Sequence, residues 1–93
     1  CGSCWAFAAT AAHESFQVLT LKEPITIALS PQQLVDCSDI DPYDNHGCNG
    51  GYGMHGLEYI KDYGQTLESL YPYKATTGNC LKRRGEYTFT GVV

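Results

Sequence analysis

The sequence predicts a helix-dominated fold with a little β structure near its end, and three stretches carry that expectation. A long helical pattern follows Ser3. A second, shorter helix opens at Ser30-Pro31-Gln32-Gln33, and a third amphipathic run extends from about Tyr52 to Tyr63 before Gly64 stops it.

Taken in order, Ser3 suits an N-cap, and helical spacing continues from Cys4 to about Leu21. Trp5, Ala8, Ala12, Phe16 and Leu19 form one apolar stripe, while Ala6, Ala9, Ala11 and Val18 keep the other faces small and apolar. A helix apolar almost all round is expected to be buried, and Glu14 within it then needs a partner. Pro24 ends the pattern, and Ile25-Thr26-Ile27 reads as a short strand or an extended link. Ser30 to Gln33 is a capping-box start with Pro31 at the first helical position, and the helix it opens should run to about Cys37. The polar stretch from Ser38 to Gly47, with Pro42 and Asn45, is a loop. Cys48-Asn49-Gly50-Gly51 is too glycine-rich for an ordinary helix or strand. Leu57, Ile60 and Tyr63 share one face of the third helix. Tyr71-Pro72-Tyr73, a loop to Cys80 and the strand-like Tyr87-Thr88-Phe89-Thr90 complete the chain, with no internal repeat.

The bulk properties exclude several functions. A chain of 93 residues that is 43% hydrophobic makes one small domain. Six basic residues against ten acidic ones, a net charge of −4, leave no footprint for nucleic acid and no polybasic membrane anchor. No apolar run approaches the roughly 20 residues a membrane span requires. Five cysteines point to an oxidising compartment or a metal site, and the odd number leaves a free thiol if all pairing is internal. The chain begins at Cys1 and ends on the apolar Gly91-Val92-Val93, so both ends read as interior to something longer. It holds no N-x-S/T glycosylation site.

The chemistry concentrates at Cys4. Free N–H groups and the helix dipole at the first turn of a helix favour a thiolate, the form that acts as a nucleophile. The Cys4 N–H is itself free to donate to an oxyanion. Three other readings compete. Cys1-Gly2-Ser3-Cys4 is a C-x-x-C redox pattern, but no strand leads into it and three further cysteines go unexplained. Cys1, Cys4, His46 and Cys48 make a four-ligand zinc set, but its H-x-C spacing is tight and Cys37 and Cys80 stay idle. An inert buried thiol does not suit the electropositive end of a helix. His13 lies nine positions after Cys4, about 13 Å along the axis at 1.5 Å per residue, too far to be its base. It and His55 read as structural residues. Spacing alone decides no disulfide pairing.

Cys1-Gly2-Ser3-Cys4-Trp5, continued by Phe7, resembles the signature around the nucleophile of the papain-like cysteine proteases. Ser30 through Cys37 (SPQQLVDC) resembles that family's second helix, Gly47-Cys48-Asn49-Gly50-Gly51 its substrate-binding glycine segment, and Tyr71-Pro72-Tyr73 another of its landmarks. Four blocks stand in family order across nearly the whole chain. The resemblance implies a two-domain α+β papain-like fold, of which residues 1–93 are a partial catalytic domain. They form mainly the helical left domain with its long buried central helix, and the right domain with the catalytic His and Asn lies downstream. The oxyanion-hole Gln lies upstream. The resemblance also implies Cys4 as catalytic nucleophile, disulfides Cys1–Cys48 and Cys37–Cys80, and substrate contacts from Gly2, Ser3, Trp5, His46, Asn49, Gly50, Gly51, Tyr52 and Gly53. His46 falls on the cleft rim and not in the catalytic pair. Gly51 pairs through its backbone with the second substrate residue before the cut, whose side chain enters a pocket fronted by Tyr52 and Gly53.

The interval between Gly51 and Tyr71 has no room for a cleft-blocking loop, which places the chain in the cathepsin L-like or papain-like branch of endopeptidases. No cofactor and no metal are implied. The implied partners are peptide and protein substrates, the protein's own propeptide as a zymogen, and cystatin-like inhibitors. The protein would be a monomer, and its location lysosomal, vacuolar or secreted. Ala8, where many members carry Ser, and Gly53, where members often carry Pro or a larger apolar residue, depart from the pattern. The competing reading is a non-catalytic papain-fold module that binds or inhibits.

Overall fold

The computed structural model describes residues 1–21, 27–89 and 91–92. Its elements are α1 (Cys4–Leu21), α2 (Pro31–Cys37), a 3-10 turn (Gly47–Asn49), α3 (Gly53–Tyr63) and a short antiparallel pair, β1 (Tyr87–Thr88) with β2 (Gly91–Val92). In that pair Tyr87 faces Val92 and Thr88 faces Gly91. The expected extended link at 25–27 lies largely outside the described residues, and Ile27 joins no strand. α1 packs chiefly against α3 and also against α2. The core gathers Trp5, Ala6 and Ala9 of α1 with Leu34 and Val35 of α2 and Tyr59 and Ile60 of α3.

Within these residues α1 is covered on one face, by α2 and α3. Of the expected stripe only Trp5 is covered. Ala8 and Ala12 are exposed, Phe16 is half-buried and Leu19 is 76% exposed. The buried face instead runs Trp5, Ala6, Ala9, Thr10, His13 and Gln17. Two physical features select it. Ala9 lets α3 come close, because a Cβ on Gly56 would stand 2.9 Å from the Ala9 Cβ. The polar residues on that face find complete or nearly complete hydrogen bonding, so their burial is tolerated.

That polar cluster has a definite proton arrangement. Gln65 donates through Nε2 to Thr10 Oγ1 and to the Ser30 carbonyl, both at 2.8 Å. Its Oε1 must therefore accept from His13 Nδ1–H at 2.9 Å. Gln17 Nε2 then donates to His13 Nε2 at 2.9 Å and to the Thr88 carbonyl at 2.6 Å. His13 is fully buried and neutral, with its proton on Nδ1 and the Phe89 ring 4.8 Å away. Glu14 has the partner its position demanded, accepting from the Leu29 N–H at 2.8 Å.

α2 opens with half a capping box. Ser30 Oγ accepts from the Gln33 N–H at 3.1 Å, but the Ser30 N–H goes to the Thr66 carbonyl, at 2.9 Å. Gln33 is thereby released to stitch loops. It accepts from the Thr66 N–H at 2.7 Å and donates to the carbonyls of Gly64 (3.3 Å) and Arg83 (3.1 Å). Asp36 does similar work, accepting from Gln32 Nε2, Tyr71 Oη–H and the Gly78 N–H at 2.7–2.9 Å. Two disulfides join Cys1 to Cys48 and Cys37 to Cys80, at sequence separations of 47 and 43. Loops of that length stabilise by about 4 kcal/mol each in the chain-entropy model.

Burial lowers the proton affinity of His13 against the opposing pull of its bond to Gln65. The unfolded chain, with an ordinary imidazole near 6.5, therefore binds a proton that the folded state refuses. His13 contributes stability that is present above about pH 6.5 and lost as pH falls below it. In the full-length protein, urea midpoints between pH 7.5 and 5 should fall more steeply for wild type than for His13→Gln. Parallel profiles would show that His13 is not sealed in its neutral form.

Candidate active site

Cys4 is the first residue of α1, and its thiol is free and exposed. The helix starts here because the Ser3 carbonyl accepts the first bonds, from the N–H groups of Ala6 (2.9 Å) and Phe7 (3.1 Å). Helix geometry leaves the Cys4 N–H without an intrahelical acceptor. The Ser3 hydroxyl does not cap the first turn, which corrects its expected role. It is paired with the hydroxyl of Tyr73 at 2.8 Å, and Phe7 packs edge-on against the same ring with centroids 5.0 Å apart. Just upstream, the Cys1–Cys48 bond and a hydrogen bond from the Gly2 N–H to the Cys48 carbonyl (2.8 Å) tie the residues leading into α1 to the glycine segment.

The glycine segment is held from beneath by Trp5. Its indole is 4% exposed, and Nε1–H donates to the Gly47 carbonyl at 3.0 Å. A Cβ at Gly51 would lie 2.7 Å from Trp5 Cδ2 and 2.7 Å from Asn45 Oδ1. Glycine is required at 51 by this packing against the protein. No described group bonds to the N–H or C=O of Gly51, so its peptide edge is open. Around it, the Gly50 carbonyl accepts from the His46 N–H at 2.8 Å, and the Asn49 N–H donates to the His46 carbonyl at 2.9 Å. Asn49 and the His46 ring are exposed, and the ring faces Asp44 at 3.4 Å.

Tyr52 and Gly53 part company at the start of α3. Tyr52 is 62% exposed, and its ring lies 4.8 Å from that of His55. Gly53 instead joins Ala8, Ala9, Met54 and Leu57 around an apolar hollow. Tyr52 is not among the residues that line it. A side chain at 53 would project into the hollow, its Cβ 3.9 Å from the Ala8 Cβ. The position of Met54 one residue into the helix after a glycine is the sequence signal that marks it. Asn45, read from sequence only as a loop residue, is fully buried against the glycine segment.

The competing cysteine chemistries fall on the disulfide pattern. Cys1 is bonded to Cys48, so it forms neither a dithiol with Cys4 nor half of a zinc site. Among the described residues no group of three or more His, Cys, Asp or Glu is placed to hold a metal ion, and no helix is long and apolar enough to cross a membrane.

The family model for papain family cysteine proteases matches residues 1–92. This chain belongs to that family. A cathepsin L-like proteinase of Phaedon cochleariae is 49% identical over 94 residues, covering 98% of this chain and 28% of the relative. A cathepsin L-like proteinase of Fasciola hepatica is 45% identical, over 98% of this chain and 27% of the relative. The digestive procathepsin L 3 of Tenebrio molitor larval midgut superposes with a TM-score of 0.80 at 38% identity, covering all of this chain and 28% of that one. The papain-like chain thus spans a little over a quarter of the relatives it matches, and its fold is that of their helical domain.

Gly51→Ala tests the packing directly. Its Cβ meets Trp5 and Asn45 at 2.7 Å, so stability should drop by about 1–3 kcal/mol, the usual range for overpacking. An unchanged urea midpoint in the full-length protein would show that the segment is not pressed against Trp5.

Proposed function

We propose that this chain is the nucleophile-bearing part of a cysteine endopeptidase that cuts peptide bonds through a Cys4 thiolate and an acyl-enzyme intermediate. One juxtaposition carries the reading. An exposed free thiol at the start of α1 is tied, through the Cys1–Cys48 bond, to a segment whose Gly51 peptide edge is unengaged. An extended substrate adds to that edge as a strand, and its scissile carbonyl falls to the thiol.

The thiolate sulfur attacks the carbonyl carbon, a C–S bond forms, and the oxygen becomes an oxyanion that accepts from the Cys4 N–H. The C–N bond breaks as an imidazolium gives its proton to the leaving amine. Water then adds to the thioester, the C–S bond breaks, and the acid product leaves with Cys4 restored. The imidazole comes from outside this segment, as family membership implies. His13 is sealed in its amide cluster, and the His46 ring faces Asp44.

The hollow of Ala8, Ala9, Gly53, Met54 and Leu57 takes the side chain of the second residue before the cut. Its walls are apolar, and each CH₂ buried there is worth about 0.8 kcal/mol, so Phe and Leu are preferred guests. The likeness to a procathepsin supports synthesis as a zymogen whose propeptide occupies this cleft. Cystatin-like inhibitors would compete for the same groove, and the enzyme acts as a monomer. Two disulfides favour a lysosomal, vacuolar or extracellular setting.

Three outcomes are expected. In the full-length, activated protein, Cys4→Ser should lower kcat/KM by more than about 10⁴-fold. Retained turnover would remove Cys4 from the mechanism, and an inactive wild type would favour the binding-module reading. The 93-residue chain alone should not turn over peptides, since acid–base help is worth about 10²–10⁴-fold. Purified chain whose turnover disappears in Cys4→Ser would place a base within these residues. With a peptide library varied at the second position, Gly53→Leu should shift preference away from Phe and Leu toward smaller residues. A profile that the substitution leaves unaltered would detach the hollow from specificity.

A further inference from the structure

Asn45 belongs to no motif, yet its buried amide links two elements that flank the cleft. Nδ2 donates to Ser38 Oγ at 3.0 Å, and Ser38 Oγ–H in turn donates to the Leu34 carbonyl at 2.7 Å, at the end of α2. On the other side, Asn45 Oδ1 accepts from the Tyr52 N–H at 2.9 Å. The same oxygen fills the space beside Gly51, where a Cβ would come within 2.7 Å of it. Gly51 is therefore held between Asn45 and the Trp5 indole, and the peptide unit leading from Gly51 into Tyr52 is pinned at its N–H.

We propose that Asn45 is a positioning residue for substrate binding: through the Tyr52 N–H it fixes the Gly51 peptide in the orientation that presents an open edge to an extended chain. The inference rests on the protease reading above. Two consecutive glycines have more backbone freedom than any other pair, so a binding edge made from them must be fixed from outside. Trp5 blocks one side by contact, and Asn45 supplies the directional bond. Without that bond the segment would have to be ordered by the substrate itself, a loss that falls on binding. Asn45 makes no hydrogen bond to Cys4 or to the first turn of α1, so thiol chemistry is left alone. An amide that merely supported the fold would affect binding, chemistry and stability together.

The test uses the full-length, activated protein with Asn45→Ala, Asn45→Asp and Ser38→Ala. For peptides extended on the amino side of the cut, Asn45→Ala should raise KM about tenfold and leave kcat within about twofold, the signature of lost uniform binding. Alkylation of Cys4 by iodoacetamide should keep its wild-type rate. Asn45→Asp retains the acceptor for the Tyr52 N–H and should recover most of the KM, while Ser38→Ala should give a smaller rise in the same direction. Amide exchange at Tyr52 should quicken in Asn45→Ala, with the interiors of α2 and α3 unchanged. An unchanged KM, or a fall in kcat and alkylation rate in step with stability, would overturn the inference. If Asn45→Ala does not fold, an unchanged KM in Ser38→Ala overturns it as well. If wild type cleaves no peptide, the protease reading fails alone, and Tyr52 exchange in Asn45→Asp and Ser38→Ala still decides whether Asn45 holds the segment.

Discussion

Because Trp5 directly follows Cys4 and is buried, the place of one indole governs both the free thiol and the glycine segment. The ring anchors the first turn of α1 in the core, which sets where the neighbouring thiol emerges. Its Nε1–H reaches the Gly47 carbonyl, and its face stands where a Gly51 side chain would be. The free thiol and the open peptide edge are thus positioned by the same rigid group, and a shift in one is transmitted to the other. A flexible side chain in that place would leave the two elements related through the Cys1–Cys48 bond and the Gly2–Cys48 hydrogen bond.

The second half of the chain has little regular structure, so its backbone polar groups need partners that no helix or sheet provides. Side chains meet much of that need, three of them from α2. Gln32 donates to the Thr76 carbonyl and accepts from the Lys74 N–H, both at 2.8 Å. Gln33 serves residues 64, 66 and 83, and Asp36 binds Tyr71 and Gly78. Three residues of one short helix therefore define the course of the loops between 64 and 83. Their full burial follows from their complete pairing, and an apolar replacement would leave several backbone groups stranded.

Helix boundaries were legible because they depend on local stereochemistry: Pro31 after Ser30 starts α2, and Gly64 ends α3. The start of α1 at Cys4 was legible from spacing, and the family from the resemblance of four blocks. The buried face of α1 was not, because hydrophobic periodicity favoured Phe16 and Leu19 over His13 and Gln17. A polar side chain can be buried only if specific partners converge from distant segments, such as Gln65 for His13, and a linear pattern carries no trace of that convergence. Asn45 was invisible for the same reason. The outward turn of Tyr52, which leaves the hollow to Met54, depends on how α3 is rotated against α1, a tertiary quantity fixed by the Gly56–Ala9 contact.

The two disulfides are interlaced: Cys37 lies inside the interval that Cys1 and Cys48 close, and Cys80 lies outside it. A single break of the main chain anywhere between Cys1 and Cys80 leaves the two pieces covalently joined, by one bridge or by both. This is a form of damage tolerance. A clipped loop need not mean a dissociated segment, and a nicked chain keeps its thiol and its glycine edge on the same covalent body. Such a molecule would run as separate fragments only once its bridges were reduced.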